Sequence, residues 1–250
     1  MAATPSGKDK VERYARIYVG GYDLSGDART FSSLDNNFGE VDFTGWSESV
    51  RNYLSNGHRI VGIRGFQALV NDTSGRAFDQ LKSAENSSQV SLLFGGGGAP
   101  APGDPAYVLP SVQMSDTANF DSGAGMITAD FIPEASQMSA NYDNPMGVVL
   151  ADSTSISATT NYTSSDFGAQ TTAGWSANLH VTATSLGNFA IVIEDSADDS
   201  VWATLGTFTS TAGSVESEFL SGSGTVDRYV RITATRTAGT ATIIVTFARN

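Results

Sequence analysis

The sequence predicts a mainly β protein: a β-sandwich or barrel with one or two short helices in the first part, and an all-β, jelly-roll-like sandwich in the second. Three observations predict this fold class. Short runs rich in β-branched and aromatic residues recur along the whole chain. Clusters of Gly, Asn, Asp and Ser separate these runs. Apolar residues at helical spacing are found in only two short stretches.

The opening of the chain predicts a flexible arm, a strand and a tight turn. Residues 1–12 are polar and charged, as chain termini that lack their own packing often are. Residues 15–19 (ARIYV) read as a strand, and Gly20-Gly21 permit a turn that a side chain would block. We expect a turn at residues 35–37 and further strands at residues 30–34, 40–44, 58–70, 89–94, 106–114 and 125–132.

Two stretches predict helices. Within residues 45–57, Trp46, Tyr53 and Leu54 recur at helical spacing. This stretch is either an amphipathic helix that covers one end of a sheet or an interface segment, because Trp and Tyr favour protein contacts. Residues 73–85 show the clearest one-sided apolar pattern in the chain, with Asp72 or Thr73 as the expected N-cap.

The composition changes near residue 152, where Ser and Thr become dominant and Lys disappears. We therefore predict two domains, residues 1–151 and residues 152–250. In the second domain, alternation places Ala177, Leu179, Val181 and Ala183 on the inward face of a strand. The strands predicted there are residues 175–184, 189–195, 201–208, 227–235 and 240–249.

Charge argues against binding to nucleic acid. The net charge is −12, with 10 Lys and Arg against 17 Asp and Glu in residues 1–150, and 4 against 9 in residues 151–250. A grip on phosphates needs clustered cations, which neither part offers. No stretch has the apolar length of a signal sequence or a membrane span, so we expect a product that is made in the cytoplasm and stays soluble, unless it leaves inside an assembly.

The sequence offers no catalytic, metal or cofactor site, and we predict that the protein is not an enzyme. It has no Cys, and its two histidines, His58 and His180, lie in different predicted domains without metal-ligand spacing. The glycine-rich residues 95–105 lack the Lys-Ser/Thr and the helix of a phosphate-binding loop. The acidic cluster Glu194, Asp195, Asp198 and Asp199 is interpreted as a solvated turn rather than a Ca²⁺ site.

Two sets of residues carry a resemblance to bacteriophage virion proteins. Residues 15–26, 45–66 (GWSESVRNYLSNGHRIVGIRGF), the predicted helix after them and residues 102–115 (PGDPAYVLPSVQMS) look similar to tail tube (major tail) proteins of long-tailed phages. The second part resembles a small jelly-roll or Ig-like domain appended to phage tail and virion proteins. The segments that carry this second resemblance are ANLHV (177–181), IEDS (193–196), VW (201–202), GTF (206–208), RYVR (228–231) and IVTFAR (244–249).

The resemblance implies a tail-tube-type β-sandwich or barrel that self-assembles into hexameric rings, stacked into the hollow tube of a virion tail. The implied partners are copies of itself, other tail proteins, and viral DNA that passes through an acidic lumen without specific binding; no membrane is implied. We expect subunit contacts at Arg16, Tyr18, Trp46, Tyr53 and Leu54.

Two alternative functions stay open at this point. The runner-up is another virion component, a head decoration or tail-tip protein, because such proteins share the same appended domain and the second half does not separate them from a tail tube protein. From a different class, the second domain suits a carbohydrate-binding module, because Trp175, Trp202 and Tyr229 offer aromatic rings that can stack on sugars. The competing interpretation of these three rings is packing within the core.

Overall fold

The computed structural model describes residues 15–42, 53–83, 88–95, 98–121, 124–133 and 144–250, and within them the chain is mainly β, as predicted. The first strands are β1 (Ala15–Val19), β2 (Tyr22–Asp23), β3 (Ala28–Thr30), β4 (Ser33–Asp42), β5 (Tyr53–Leu69), β6 (Ser88–Phe94), β7 (Pro105–Asp121) and β8 (Ala124–Pro133). The later strands are β9 (Met146–Ile156), β10 (Thr160–Asn161), β11 (Ser165–Asp166), β12 (Trp175–Ser196), β13 (Ala203–Thr207), β14 (Glu216–Gly222) and β15 (Tyr229–Arg249). A short helix, α1 (Ala77–Ser83), lies between β5 and β6.

The central element of the fold is the antiparallel pair formed by β12 and β15. The two strands are paired from Trp175↔Arg249 to Ser196↔Tyr229, with bulges that let so long a pair bend. On the other side of β15 lies β9, which pairs in turn with the start of β7. Pairing therefore runs without a break along the path β13-β12-β15-β9-β7-β6-β1-β2, and curled antiparallel sheets give a half-barrel, sandwich-like fold.

Two large apolar clusters and a smaller third one (Tyr18, Leu93, Ala106, Val149 and Ile244) form the core of the described residues. The first is built from residues 17–131 and the second from residues 150–247. Strand β9 crosses the predicted domain boundary at residue 151, and Leu150 and Ala151 belong to the second cluster. The division of the chain into domains at that position stays a prediction.

Most predicted strands are present, although several are joined into longer ones. Residues 175–184 and 189–195 form the single strand β12, and residues 227–235 and 240–249 form β15. The turn predicted at residues 35–37 is wrong, because these residues lie within β4 and pair with β5. Strand β14 was not predicted.

Both helix predictions need correction. Residues 53–57 of the predicted helix at 45–57 belong to β5, where they pair with β4, and residues 43–52 lie outside the described residues. The helix predicted at residues 73–85 is present as the shorter α1. Its start is fixed by a residue distant in sequence, since the carboxylate of Asp27 accepts a hydrogen bond from the Ala77 N–H at 3.1 Å.

The β9–β15 contact gives a test of the fold. A Cβ atom added to Gly147 would lie 2.1 Å from the carbonyl oxygen of Phe247. Because both strands are held by their neighbours, we expect Gly147→Ala to lower the free energy of unfolding by roughly 1–3 kcal/mol, as overpacking does. Chemical denaturation checks this value. Gly98→Ala, where a Cβ meets nothing within 4 Å, is the matched control, and equal stability of the two variants would contradict the packing described.

Candidate functional site

The first half of the chain packs on the second half through one face of β12. The alternation of the sequence had predicted this face to be exposed to solvent. Ala177, Leu179 and Val181 face the second apolar cluster, as predicted, whereas Ala183 is exposed. The alternate residues Ser176, Asn178 and His180 are fully buried as well. Strand β12 is therefore covered on both faces over this stretch, and its polar face lies against β6 and β1.

A set of hydrogen bonds joins the two halves at this face; we call Ser91, Asn178, His180 and Thr246 the junction cluster. His180 Nε2 lies 2.9 Å from Ser91 Oγ, which lies 2.9 Å from Thr246 Oγ1. Asn178 Nδ2 donates to the carbonyl oxygens of Leu109 at 2.7 Å and Val90 at 3.0 Å. Since buried polar groups cost free energy unless they are paired, these bonds specify how the halves meet.

His180 is held as a neutral ring. The Gly21 N–H donates to His180 Nδ1 at 3.4 Å, which leaves the ring proton on Nε2, facing Ser91. Burial without a carboxylate partner lowers the pKa of His180 to about 3. The ring also packs against Tyr18, with centroids 5.9 Å apart. Its surroundings are those of a structural histidine rather than a proton-transfer group.

The Gly20-Gly21 turn contributes directly to this packing. Both glycines have positive φ, 59° and 91°. A Cβ on Gly21 would lie 2.6 Å from the Glu216 carbonyl oxygen and 2.9 Å from that of Val181. The turn predicted from the sequence is therefore also the place where the first half touches the backbone of β12 and β14.

Strands β4 and β5 form a two-stranded ribbon that extends beyond the rest of the sheet. Pairing between them runs from Ser33↔Arg64 to Asp42↔Tyr53. Strand β5 pairs with β8 only from Ile63 onward, so among the described strands residues 53–62 of β5 have β4 as their sole neighbour. A two-stranded ribbon alone in water is at best marginally stable.

The base of this ribbon is anchored in the first cluster. The buried Tyr107 hydroxyl donates to the Asp35 carbonyl and accepts from the Gly62 N–H at 3.1 Å. Burial raises the pKa of Tyr107 well above its usual value. Arg64 Nε donates to Asp35 Oδ2 at 3.1 Å. The ribbon consequently leaves the body of the molecule in a defined direction.

A cavity of about 380 Å³ opens between β1 and β3. Its walls are mostly apolar, with Ile17, Phe31, Phe66 and Leu92 among them. Arg16 and Arg29 also line it, and the described lining contains no carboxylate. Because Arg29 is exposed and Arg16 is half-buried, the cavity combines an apolar floor with cations that reach solvent.

The expected interface residues occupy three different places. Arg16 lines the cavity. Tyr18 is only 3% exposed and packs between the two halves, so its ring is a contact within the chain and is not available to a second subunit. Tyr53 and Leu54 lie at the far end of the ribbon, where they pair with Asp42 and Val41. Trp46 lies outside the described residues.

The aromatic residues considered for sugar binding separate into core and surface. Trp175 is 4% exposed and stacks on Phe247, and Gly206 and Gly222 leave room for its ring. Trp202 and Tyr229 are half-buried on the outer face of the second half.

An arginine side chain lies over one face of each surface ring. Arg231 lies 4.0 Å above the Trp202 ring and donates to Glu194 at 2.8 Å. Arg228 lies 4.8 Å from the Tyr229 ring and bonds both carboxylate oxygens of Asp166. Its guanidinium lowers the pKa of Asp166 to about 2. We call Trp202, Tyr229, Arg231 and Glu194 the aromatic face.

The acidic cluster is part of a turn and of ion pairs. Asp198 Oδ1 accepts from the N–H groups of Ser200 and Val201, both at 3.0 Å, which holds the pKa of Asp198 below its usual range. Asp195 accepts from the Asp227 N–H at 2.8 Å. Within the residues that the structure describes, no group of three or more His, Cys, Asp or Glu is placed to hold a metal ion. His58 lies on β5.

Comparisons with known proteins leave the family open. No protein-family model and no curated protein matches the sequence. A crystal structure of the SPP1 Dit protein, described as a paradigm of the hub adsorption apparatus in phages that infect Gram-positive hosts, aligns with 94% of this chain and 99% of its own, at 9% identity and a TM-score of 0.34. A glycoside hydrolase aligns over 78% and 62%, at 10% identity and a TM-score of 0.27. Scores this low do not establish a shared fold.

Among the described residues, the helix that the structure contains is too short to span a membrane.

The buried neutral His180 predicts a specific pH dependence. Its pKa is about 3 in the folded protein and near 6.5 when unfolded, so the unfolded chain binds more protons between these values. The stability that this residue contributes is complete above pH about 6.5 and falls toward pH 3, by at most about 1.4 kcal/mol per pH unit. Denaturation of the natural protein and His180→Gln across this range measures the difference, and parallel stability curves would contradict burial of a neutral ring.

Proposed function

We propose that this chain is a structural protein of a phage tail, which works by association with copies of itself and with other tail proteins. The ribbon formed by β4 and β5 is the single observation that carries this proposal. It projects a ten-residue strand whose outer edge has no partner among the described strands. Such an edge is suited to pairing with another chain.

The rest of the molecule supports the same function. The junction cluster and its apolar surroundings hold the two halves in one arrangement, so the ribbon is presented by a firm base. The Ser91–His180 pair is fully buried at the junction between the halves, which favours a structural role for this pair over catalysis. The sequence resemblance to tail tube proteins and to the domain appended to virion proteins points the same way.

At a finer level, the proposal is a tail tube subunit. In this proposal the subunits form hexameric rings that stack into a hollow tube, and the net charge of −12 helps to keep passing DNA from adhering. A ring needs two different complementary surfaces on each subunit. The protein then resides in the virion. If the protein is instead a tail-tip or head decoration protein, it self-associates in the same way at another position in the particle.

Removal of the ribbon end tests the proposal. Phe38 pairs with Arg59, so replacing residues 39–58 with Asn-Gly closes the ribbon with a two-residue hairpin turn. We expect this variant to fold with nearly unchanged thermal stability, because the base of the ribbon is retained. Whereas the full chain forms rings or tubes at high concentration, the variant stays monomeric by light scattering and negative-stain microscopy. Rings formed by the shortened variant would contradict the role of the ribbon, and a strictly monomeric full chain would contradict self-assembly itself.

A second candidate function, glycan binding, is favoured by the aromatic face. Trp202 stands beside hydrogen-bonding groups of Arg231, Glu194 and Thr233 on an outer sheet surface. Sugar rings stack on aromatic side chains and bond to such groups, and binding of this kind is compatible with a virion component.

Glycan-array binding by the full chain tests this candidate. If a glycan binds, Trp202→Ala should weaken its binding about tenfold, the loss of about 1.4 kcal/mol of contact energy. The control Val201→Ala removes an exposed neighbouring side chain, 75% accessible, and should bind normally. The absence of any bound glycan, or equal binding by both variants, would exclude this face.

A further inference from the structure

The cavity between β1 and β3 has the chemistry of a docking site, and we propose that it receives the ribbon end of a second copy of this chain. The inference rests on the proposed function and adds the contact through which the copies meet. It follows from the lining of the cavity, from the composition of the ribbon end and from the length of the ribbon.

The lining requires an occupant that is apolar and negatively charged. Ile17, Phe31, Phe66 and Leu92 provide apolar walls, and Arg16 and Arg29 provide positive charge that no described lining residue neutralises. A volume of about 380 Å³ lies at the small end of the range of roughly 300–1,000 Å³ found for ligand sites. It has room for a few side chains, not for a folded domain.

The ribbon end has the matching composition. Residues 40–54 (EVDFTGWSESVRNYL) contain the acidic Glu40, Asp42 and Glu48 against one basic residue, Arg51, and six large apolar or aromatic residues stand among them. The predicted arm at residues 1–12 is the other segment to consider. It carries Lys8 and Lys10 against Asp9 and Glu12, so its side-chain charges cancel. Charge therefore favours the ribbon end over the arm as the partner of two arginines.

The length of the ribbon indicates that the contact forms between two molecules and not within one. Strand β4 has 10 residues, so its far end lies roughly 30 Å from Ser33 at about 3.3 Å per residue. The cavity lies at the other end, beside β3 and Phe31. While β4 and β5 remain paired, the described strand ends at Asp42 and Tyr53 stay far from the cavity of the same molecule.

A contact of this kind is head-to-tail. Each subunit offers one ribbon end and one cavity, which are different surfaces, so every copy binds one neighbour with each. Such an arrangement closes into a ring if the rotation between subunits permits it, and otherwise continues as a filament. The burial of apolar side chains supplies the attraction, while the charges select the partner.

Reciprocal charge reversal tests the contact. The cavity variant is Arg16→Glu with Arg29→Glu, and the ribbon variant is Glu40→Lys with Asp42→Lys. Each alone places like charges together, so we expect each to associate at least tenfold more weakly than the natural protein in sedimentation equilibrium. An equimolar mixture restores association, because each ribbon then finds an oppositely charged cavity on the other variant.

Two control variants make the result unambiguous. Arg228→Glu with Arg236→Glu makes the same change in net charge on two exposed arginines of the second half, neither of which lines the cavity, and should associate normally. Deletion of residues 1–12 should also leave association intact. Circular dichroism verifies that every variant is folded.

The outcomes separate this inference from the proposed function. If the natural protein assembles while the cavity variant assembles equally well, or if the mixture of variants fails to recover, the inference is overturned and self-association survives. If deletion of residues 1–12 abolishes assembly while both charge variants assemble normally, the inference is overturned, and the arm becomes the segment that binds in the cavity. A natural protein that stays monomeric would overturn the proposed function.

Discussion

The contact between the two halves is the constraint on which the rest of this structure depends. Residues 175–181 of β12 are buried on both faces, with apolar side chains on one and Asn178 and His180 on the other. A purely apolar contact would permit sliding, because the hydrophobic effect has no direction. Directed hydrogen bonds to Ser91 and to the β6 and β7 carbonyls permit one register, since any shift would leave buried polar groups without partners.

Because the two halves are fixed relative to each other, the ribbon projects from a rigid base. The ribbon of β4 and β5 is anchored at its base by Tyr107 and Arg64 and then leaves the sheet. Two strands that have no third neighbour among the described strands gain little from folding alone, whereas burial of their edge against another chain would stabilise them. The proposed self-association uses this projecting strand pair as the part that binds another copy. The cavity near β3 supplies a second, different surface on the same body.

Local patterns predicted the elements far better than the contacts between them. The strand at residues 15–19, the Gly20-Gly21 turn and the β strands of the second half follow from β-branched residues and alternation. The sequence did not reveal that Asn178 and His180 pack against β6 and β7, because alternation indicates which residues differ in environment but not what covers the polar side. A signal was present in β15, whose IIVTFA run (243–248) lacks alternation and is typical of burial on both faces. Likewise, the helical spacing at residues 53–57 predicted a helix, but these residues form a strand that pairs with β4. The hydrogen bond at the start of α1 comes from Asp27, which is distant in sequence.

Hydrogen exchange across the association equilibrium tests the central claim, that this protein works by joining copies of itself through the ribbon, most directly. Amide exchange is measured by mass spectrometry at a concentration where the protein is monomeric and at one where it is assembled. The account predicts that peptides from β4 and from the first half of β5 exchange much more slowly in the assembly, while peptides from the core of β12 and β15 are unchanged. Assembly that leaves exchange in the ribbon unaltered would contradict it.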